Sequence, residues 1–253
     1  QFVRIGQLCM IGGATGVEFA TELRDFAREA MRAYPSLHKE EMDIALIEAT
    51  KGVLFGFHPR LQAWALATLK KSGVRVLLAE HVARVSEEGI QLASGASILT
   101  RTVAWVAGVK PALPDMNPPL KILANGRLIV NRFLQVEGHP NIFAVGDVAG
   151  FSESGGGWPM LAQAAEQGAQ AAAENIVGFL HGQALRPFTY RPRGALVSLG
   201  RWNAVGEIYG VTIRGWWVWI LWQAVYLTKF VSWRKRVSML AHWVTHIARR
   251  RKV

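Results

Sequence analysis

Residues 9–18 read CMIGGATGVE, and this stretch decides the fold of the first hundred residues. An apolar run at 3–11 precedes the glycines, and VEFATELRDFAREAM (17–31) follows them with apolar residues at helical spacing. The order predicts a strand, a tight glycine turn and a helix. Such a turn can receive the pyrophosphate of a dinucleotide, because glycines let the phosphates come close and the helix start offers unpaired amides.

The glycine motif departs from G-x-G-x-x-G at its first position. Gly13 and Gly16 match the second and third glycines, whereas Ile11 stands where the first is expected. We expect a somewhat distorted turn held by Gly12, Gly13 and Gly16, with Thr15 among the cofactor-binding residues. The alternative is a glycine turn that only packs a helix against a strand.

An acidic residue follows at the end of the second predicted strand, MDIALIEA (42–49). Glu48 lies 32 residues after Gly16, because MRAYPSLHKEE lengthens the connection between helix and strand. A carboxylate at this place can accept both hydroxyls of a ribose and repels a 2'-phosphate, so Glu48 favours NADH over NADPH. The neighbouring Lys51 weakens that preference.

The remaining chain continues the α/β pattern and then changes character. A helix and a strand follow Glu48, then a hairpin and a further buried strand, so the first part has the βαβαβ order of a Rossmann-like domain. The Pro-rich stretch 109–120 indicates a crossing to a second domain. The predicted elements are a helix at 59–71, strands at 74–80, 89–100 and 102–108, strands in 127–136 and 141–147 joined by the turn EGHP, a helix at 160–180, and strands at 195–200 and 204–210.

Composition places the chain among globular proteins and excludes a disulfide scaffold. It has 253 residues, 51% of them hydrophobic, and a single cysteine, Cys9, inside an apolar run. The formal net charge of +11 is concentrated at one end, since no acidic residue follows Glu207. The first residues do not have the order of a signal peptide and begin without methionine, so we expect a piece of a longer protein.

The C-terminal tail has the features of a membrane-binding region. Residues 215–228, GWWVWILWQAVYLT, are uncharged and shorter than the roughly 20 residues of a spanning helix. Residues 237–248 form an amphipathic pattern between the basic clusters 234–236 and 249–252, which predicts attachment to one leaflet. A soluble core helix or a homodimer interface is the competing interpretation. An unbroken apolar helix does not suit single-stranded nucleic acid, so we expect no nucleic-acid partner. His242 and His246 lack a third ligand, and we expect no metal site.

The motifs IGGATGVE, IALIEATKG, AWVAGVKP, NIFAVGD and AQAAEQ, in this order, resemble those of the type II NADH dehydrogenases. That resemblance implies an NADH-binding Rossmann-like domain at 1–108, the C-terminal part of a FAD-binding Rossmann-like domain at 109–185, and a membrane-binding region of amphipathic helices at 186–253. It also implies that the NADH domain is inserted into the FAD domain, whose own N-terminal glycine turn is absent from this sequence. We therefore expect the chain to bind flavin poorly or not at all.

The resemblance assigns further residues to the site. In AVGD, Asp147 would accept a ribityl hydroxyl of FAD and Gly146 would allow close approach of the backbone; a plain strand-end turn is the alternative. Ala162, Gln163 and Gln167, at the start of the alanine-rich helix, would lie beside the flavin and the quinone, although glutamines in such a helix are commonly just solvated.

Two more residues mark the ends of the nucleotide domain. The resemblance puts Glu18 near the nicotinamide, whereas stabilisation of the helix start would equally explain a carboxylate there. Gly108 would mark the return to the FAD domain. The expected activity is that of a non-proton-pumping respiratory flavoprotein, an NADH:quinone oxidoreductase that uses FAD and NADH on the cytoplasmic face of a bacterial inner membrane. The alternatives are a non-catalytic module that binds NADH and membrane, or a sulfide:quinone oxidoreductase, whose catalytic cysteines are missing.

Overall fold

The computed structural model describes residues 6–34, 42–117, 119–151, 157–230 and 232–249. The chain divides into two compact units, of which one combines Gln1–Ala107 with Gly194–Val253 and the other is Gly108–Arg193. The functional labels and boundaries of the three domains predicted from the sequence stay a prediction.

The first unit begins with a parallel four-stranded sheet in the order β3-β2-β1-β7. Its strands alternate with two helices, as the apolar periodicity predicts. A three-stranded antiparallel sheet, β4-β5-β6, is inserted before the last strand. The elements are β1 (Gly6–Ile11), α1 (Gly13–Ala33), β2 (Met42–Glu48), α2 (Pro59–Ser72), β3 (Val74–Leu78), β4 (Val82–Val85), β5 (Gly89–Leu92), β6 (Ser97–Leu99) and β7 (Thr102–Trp105).

The parallel sheet is covered on both faces, which explains the nearly continuous apolar sequence of its strands. Ile44 and Leu46 of β2 belong to one core cluster with residues of α1 and α2. Ala45 and Ile47 point the other way and pack with Ile90 of the small antiparallel sheet. Cys9 lies in this second cluster, where burial raises the pKa of its thiol to about 11. The thiol is therefore unreactive and serves to fill the core.

The second unit contains a four-stranded mixed sheet and one long helix. The sheet order is β10-β9-β8-β11, with β8 and β11 parallel and the other pairs antiparallel. The predicted strand through Asp147 ends at Phe143, and Gly146–Val148 forms a short 3-10 helix. His139 and Pro140, expected in a turn, begin a strand instead. The elements are β8 (Leu128–Val130), β9 (Gln135–Val136), β10 (His139–Phe143), β11 (Ala149–Phe151) and α3 (Ala162–Leu180).

The C-terminal part of the first unit is a three-stranded antiparallel sheet followed by two helices. Val197 and Val205 of this sheet share the core cluster that α1 and α2 form. Arg236 donates to the carbonyls of Thr228 at 2.9 Å and Phe230 at 2.7 Å and thereby fixes the corner between the helices. The elements are β12 (Gly194–Ser198), β13 (Ala204–Ile208), β14 (Val211–Gly215), α4 (Trp216–Lys229) and α5 (Trp233–Arg249).

Within the described ranges, none of the helices has the length and apolarity that crossing a membrane requires. The α/β class with a Rossmann-like sheet and a helical C-terminal region is confirmed.

Candidate functional site

The glycine turn between β1 and α1 forms although Ile11 replaces the first glycine. Ile11 is the last residue of the strand, where it pairs with Ile47 and Trp105 and is buried. The turn begins one residue later, at Gly12 (φ 94°), and continues through Gly13 (φ 60°). Both φ angles lie in the left-handed region, where a side chain is strained.

The three glycines of the turn differ in what surrounds them. A Cβ added to Gly12 would lie 2.3 Å from the Cβ of Ala107, so no larger residue fits there. At Gly16 it would lie 3.2 Å from a methyl of Leu46, which makes this glycine the contact between helix and sheet. Gly13 has no atom within 4 Å on that side. The Cβ side of Gly13 is therefore open, next to the positive end of α1.

Glu48 lies against this turn. Its Oε2 accepts the backbone N–H of Gly13 at 3.1 Å, and its Oε1 accepts the N–H and the hydroxyl of Thr50, each at 3.0 Å. The carboxylate is 7% exposed, whereas Thr15 and Lys51 are exposed. The structure thus brings the predicted turn and the predicted acid together at the carboxyl edge of the sheet. Sequence reasoning missed Thr50, whose position two residues after the acid was the available signal.

Glu18 lies one turn into α1 and contacts the C-terminal part of the same unit. Its Oε1 accepts the N–H of Ser198 at 3.0 Å and the indole N–H of Trp222 at 3.2 Å. Desolvation raises the pKa of this carboxyl, and the two hydrogen bonds partly oppose that rise. Sequence reasoning missed both donors, because they lie 180 and 204 residues further along the chain.

The second unit gathers the residues that were assigned to the flavin. Gly146 has φ 71°, and a Cβ there would lie 3.3 Å from the Cβ of Ala165 on α3. Asp147 is exposed in the short 3-10 helix, and Ala162 is exposed as the first residue of α3. Gly108 has φ 75° with open space around its Cβ position. These features allow a flavin to approach, and the assignment of these residues stays a prediction.

The two glutamines of α3 bind the backbone of the segment that leaves this unit. Gln167 donates to the carbonyl of Arg191 at 2.9 Å and accepts its N–H at 3.1 Å. Gln163 accepts the N–H of Arg193 at 3.1 Å. Their amides therefore hold residues 191–193 on the helix, a role that was absent from both sequence interpretations. The catalytic assignment of the two residues stays a prediction.

Among the residues that the structure describes, no group of three or more His, Cys, Asp and Glu side chains could hold a metal ion. The side chains of His242 and His246 lie outside the described set.

Comparison with known proteins places both halves of the chain. Residues 4–169 match the model of the pyridine nucleotide-disulphide oxidoreductase family, and residues 193–252 match the NDH2 C-terminal domain. The chain is 31% identical, over 92% of its length, to an internal alternative NAD(P)H-ubiquinone oxidoreductase of Arabidopsis thaliana mitochondria, and covers 49% of that relative. It is 29% identical, over 94% of its length, to the type II NADH:quinone oxidoreductase Ndh of Mycobacterium tuberculosis, and covers 54% of it.

A solved structure has the same fold. NDH2 from Plasmodium falciparum in complex with NADH superposes with a TM-score of 0.84 at 17% identity, over 95% of this chain and 65% of that one. The chain spans about half the length of the curated relatives it matches. On these grounds the chain belongs to the pyridine nucleotide-disulphide oxidoreductase family, among the type II NADH dehydrogenases.

Proposed function

We propose that the protein to which this chain belongs is a flavin-dependent NADH:quinone oxidoreductase. The observation that carries this proposal is the glycine turn with Glu48 bound to the N–H of Gly13. The net reaction consumes NADH, one proton and a quinone and yields NAD⁺ and a quinol. FAD, when bound, supplies the two-electron chemistry between the two substrates, and the residues of the chain bind and orient them.

The first unit would hold NADH through the turn and the acid. The pyrophosphate fits the open side of Gly13, beside the N-terminal end of α1, which attracts anions. Glu48 would accept a hydroxyl of the adenosine ribose, because it lies beside the same turn and is held in one orientation. The exposed Thr15 would contact the phosphates from the first turn of the helix.

The second unit would hold part of FAD. Gly146 carries no side chain and would allow close approach of the flavin to the backbone, and the exposed Asp147 can accept a hydroxyl from the ribityl chain. The N-terminus of α3, with the small Ala162 at its first position, adds a helix end without a bulky side chain. Gly108 would permit the chain to turn between the nucleotide-binding unit and this one.

We propose catalytic roles for Glu18 of the first unit and, separately, for Gln163 and Gln167 of the second unit. Desolvation raises the pKa of the Glu18 carboxyl, so this group holds its proton to a higher pH than an exposed glutamate does. The glutamines orient the segment 191–193 and offer amide groups, which can hydrogen-bond a quinone carbonyl without titrating.

The C-terminal helices would attach the protein to one leaflet of a membrane. Trp216, Trp217 and Trp233 are exposed, and so are Val237 and Leu240 on the apolar face of α5. Tryptophan favours the boundary between headgroups and acyl chains, and neighbouring cations favour anionic headgroups. A quinone dissolved in the lipid would then reach the site from the membrane. The cytoplasmic face of a bacterial inner membrane and a homodimer stay predictions.

The experiment that tests this function is a visible absorbance spectrum of the purified protein, recorded before and after NADH and then after a soluble quinone. We expect flavin bands that bleach with NADH and return with quinone. A colourless chain that still binds NADH would support a nucleotide- and membrane-binding module, whereas a flavin that NADH fails to bleach would overturn the proposed function.

A further inference from the structure

The carboxylate of Glu48 is held more tightly than a role in binding ribose by itself requires. An ionised carboxylate has about four lone-pair sites. Thr50 occupies two on Oε1, through its N–H and its hydroxyl, and Gly13 occupies one on Oε2. Among the described residues this leaves one acceptor site, on the oxygen that faces the glycine turn. Glu48 can therefore accept one ribose hydroxyl in this orientation, where the sequence suggested both.

The loop that carries Thr50 is fixed by the neighbouring strand end. The carbonyl of Thr50 accepts the N–H of Ala79 at 2.9 Å, and the carbonyl of Glu48 accepts the N–H of Glu80 at 3.1 Å. The hydroxyl of Thr50 lies between Oε1 of Glu48 and the carbonyl of Gly52, at 3.0 and 2.7 Å. A charged acceptor attracts a hydroxyl proton more strongly than a neutral one does, so this hydroxyl helps to hold the carboxylate against rotation.

The choice between the two dinucleotides depends on this orientation. NADPH differs from NADH by a 2'-phosphate on the ribose that Glu48 would face. Lys51, exposed in the same loop, would attract that phosphate, whereas the buried carboxylate repels it. A carboxylate that could turn away would give up a favourable bond to NADH and relieve the repulsion of NADPH. A carboxylate that is held in place cannot turn away, so it keeps both the bond to NADH and the repulsion of NADPH.

We propose that Thr50 is a specificity-determining positioning residue, which keeps Glu48 turned toward the glycine turn so that the site accepts a ribose 2'-hydroxyl and rejects a 2'-phosphate. This inference rests on the proposed binding of NADH to the first unit. The names of the relatives leave the choice open, since one is an NAD(P)H-ubiquinone and another an NADH:quinone oxidoreductase.

The test measures the equilibrium Kd of the complete 253-residue chain for NADH and for NADPH by titration of nucleotide fluorescence. The Thr50→Val variant removes the hydroxyl and keeps the size and the backbone N–H of the residue. Thr50→Ser restores a hydroxyl, and Thr102→Val makes the same change at an exposed threonine at the start of β7, the opposite end of the sheet. Thermal unfolding of each variant establishes that it is folded.

We expect the original chain to bind NADH more tightly than NADPH. Thr50→Val should lower the ratio of the Kd for NADPH to the Kd for NADH about tenfold. This change corresponds to the loss of one hydrogen bond to a charged group. Thr50→Ser should retain most of the preference and Thr102→Val all of it. A folded Thr50→Val chain with an unchanged ratio of the two Kd values would overturn the inference about Thr50. The proposed binding of NADH would still stand. A folded original chain that binds neither nucleotide would overturn the proposed function itself.

Discussion

At the scale of the residue, Gly12 and Gly13 are neighbours with positive φ angles and different surroundings. Gly12 faces Ala107, whereas the Cβ side of Gly13 is open. The first glycine is therefore required by the packing of the protein. The second is required, under the proposed binding of NADH, by the space that a bound phosphate would need.

Substitution by alanine should separate these two roles. Gly12→Ala adds a clash and backbone strain, so we expect a loss of about 2–4 kcal/mol in the free energy of unfolding. Gly13→Ala adds only the strain of a left-handed residue, about 1–2 kcal/mol, but should weaken NADH binding at least tenfold. Urea unfolding and an NADH titration of both variants check this. Equal stability of the two variants would contradict the assignment.

Glu18 should make the stability of the first unit depend on pH. Desolvation raises its pKa in the folded protein above the ordinary 4.5. A raised pKa means that the folded state binds the proton more tightly, so this group stabilises the fold at acidic pH and loses that contribution as pH rises through the raised value.

Glu18→Gln should remove this dependence. From pH 4.5 up to the raised pKa of Glu18, the original chain should lose stability relative to the variant, with a slope of at most about 1.4 kcal/mol per pH unit for one group. Glu22→Gln serves as the comparison, because Glu22 lies on the same helix and desolvation raises the pKa of its carboxyl in the same direction. If the free energies of unfolding of the original chain and of Glu18→Gln changed in parallel with pH across this range, Glu18 would titrate normally and the prediction would be wrong.

At the scale of the element, the sequence predicts long periodic segments well and short strands poorly. Helices α1, α2 and α3 and the central strands follow from apolar spacing. The strand β4, with four residues that are mostly exposed, and β14 were not predicted. For β14 the sequence did contain a signal, which is Gly210. In the structure Tyr209 and Gly210 both have positive φ, as a two-residue hairpin turn requires.

Helices α4 and α5 carry the prediction of membrane attachment. Replacing Trp216 and Trp217 by Ser should weaken sedimentation with vesicles of phosphatidylglycerol and phosphatidylcholine by about tenfold, because two interfacial anchors are lost. The control replaces Phe26 of α1 and Tyr34 at its C-terminal end by Ser; these side chains are 66% and 63% exposed, and their loss should not affect sedimentation. Equal loss in both double variants, or no binding by the original chain, would refute the role of the C-terminal helices.

At the scale of the whole molecule, the sequence predicted the fold class and the family, and it predicted Glu48 beside the glycine turn. It could not predict that Val197 and Val205 complete the core under α1 and α2, because contacts across such long separations leave no periodic pattern. The bonds of Glu18 to Ser198 and Trp222, and of the glutamines to residues 191–193, escaped for the same reason. They depend on how distant segments pack.

The central claim, that the first unit of this chain is an NADH-binding unit, is tested most directly by isothermal titration of the folded 253-residue chain with NADH. We expect saturable binding of one NADH per chain, with a thermal unfolding midpoint that rises with NADH concentration, as for a ligand of the native state. A folded chain that releases no heat of binding and keeps its midpoint at millimolar NADH would contradict it.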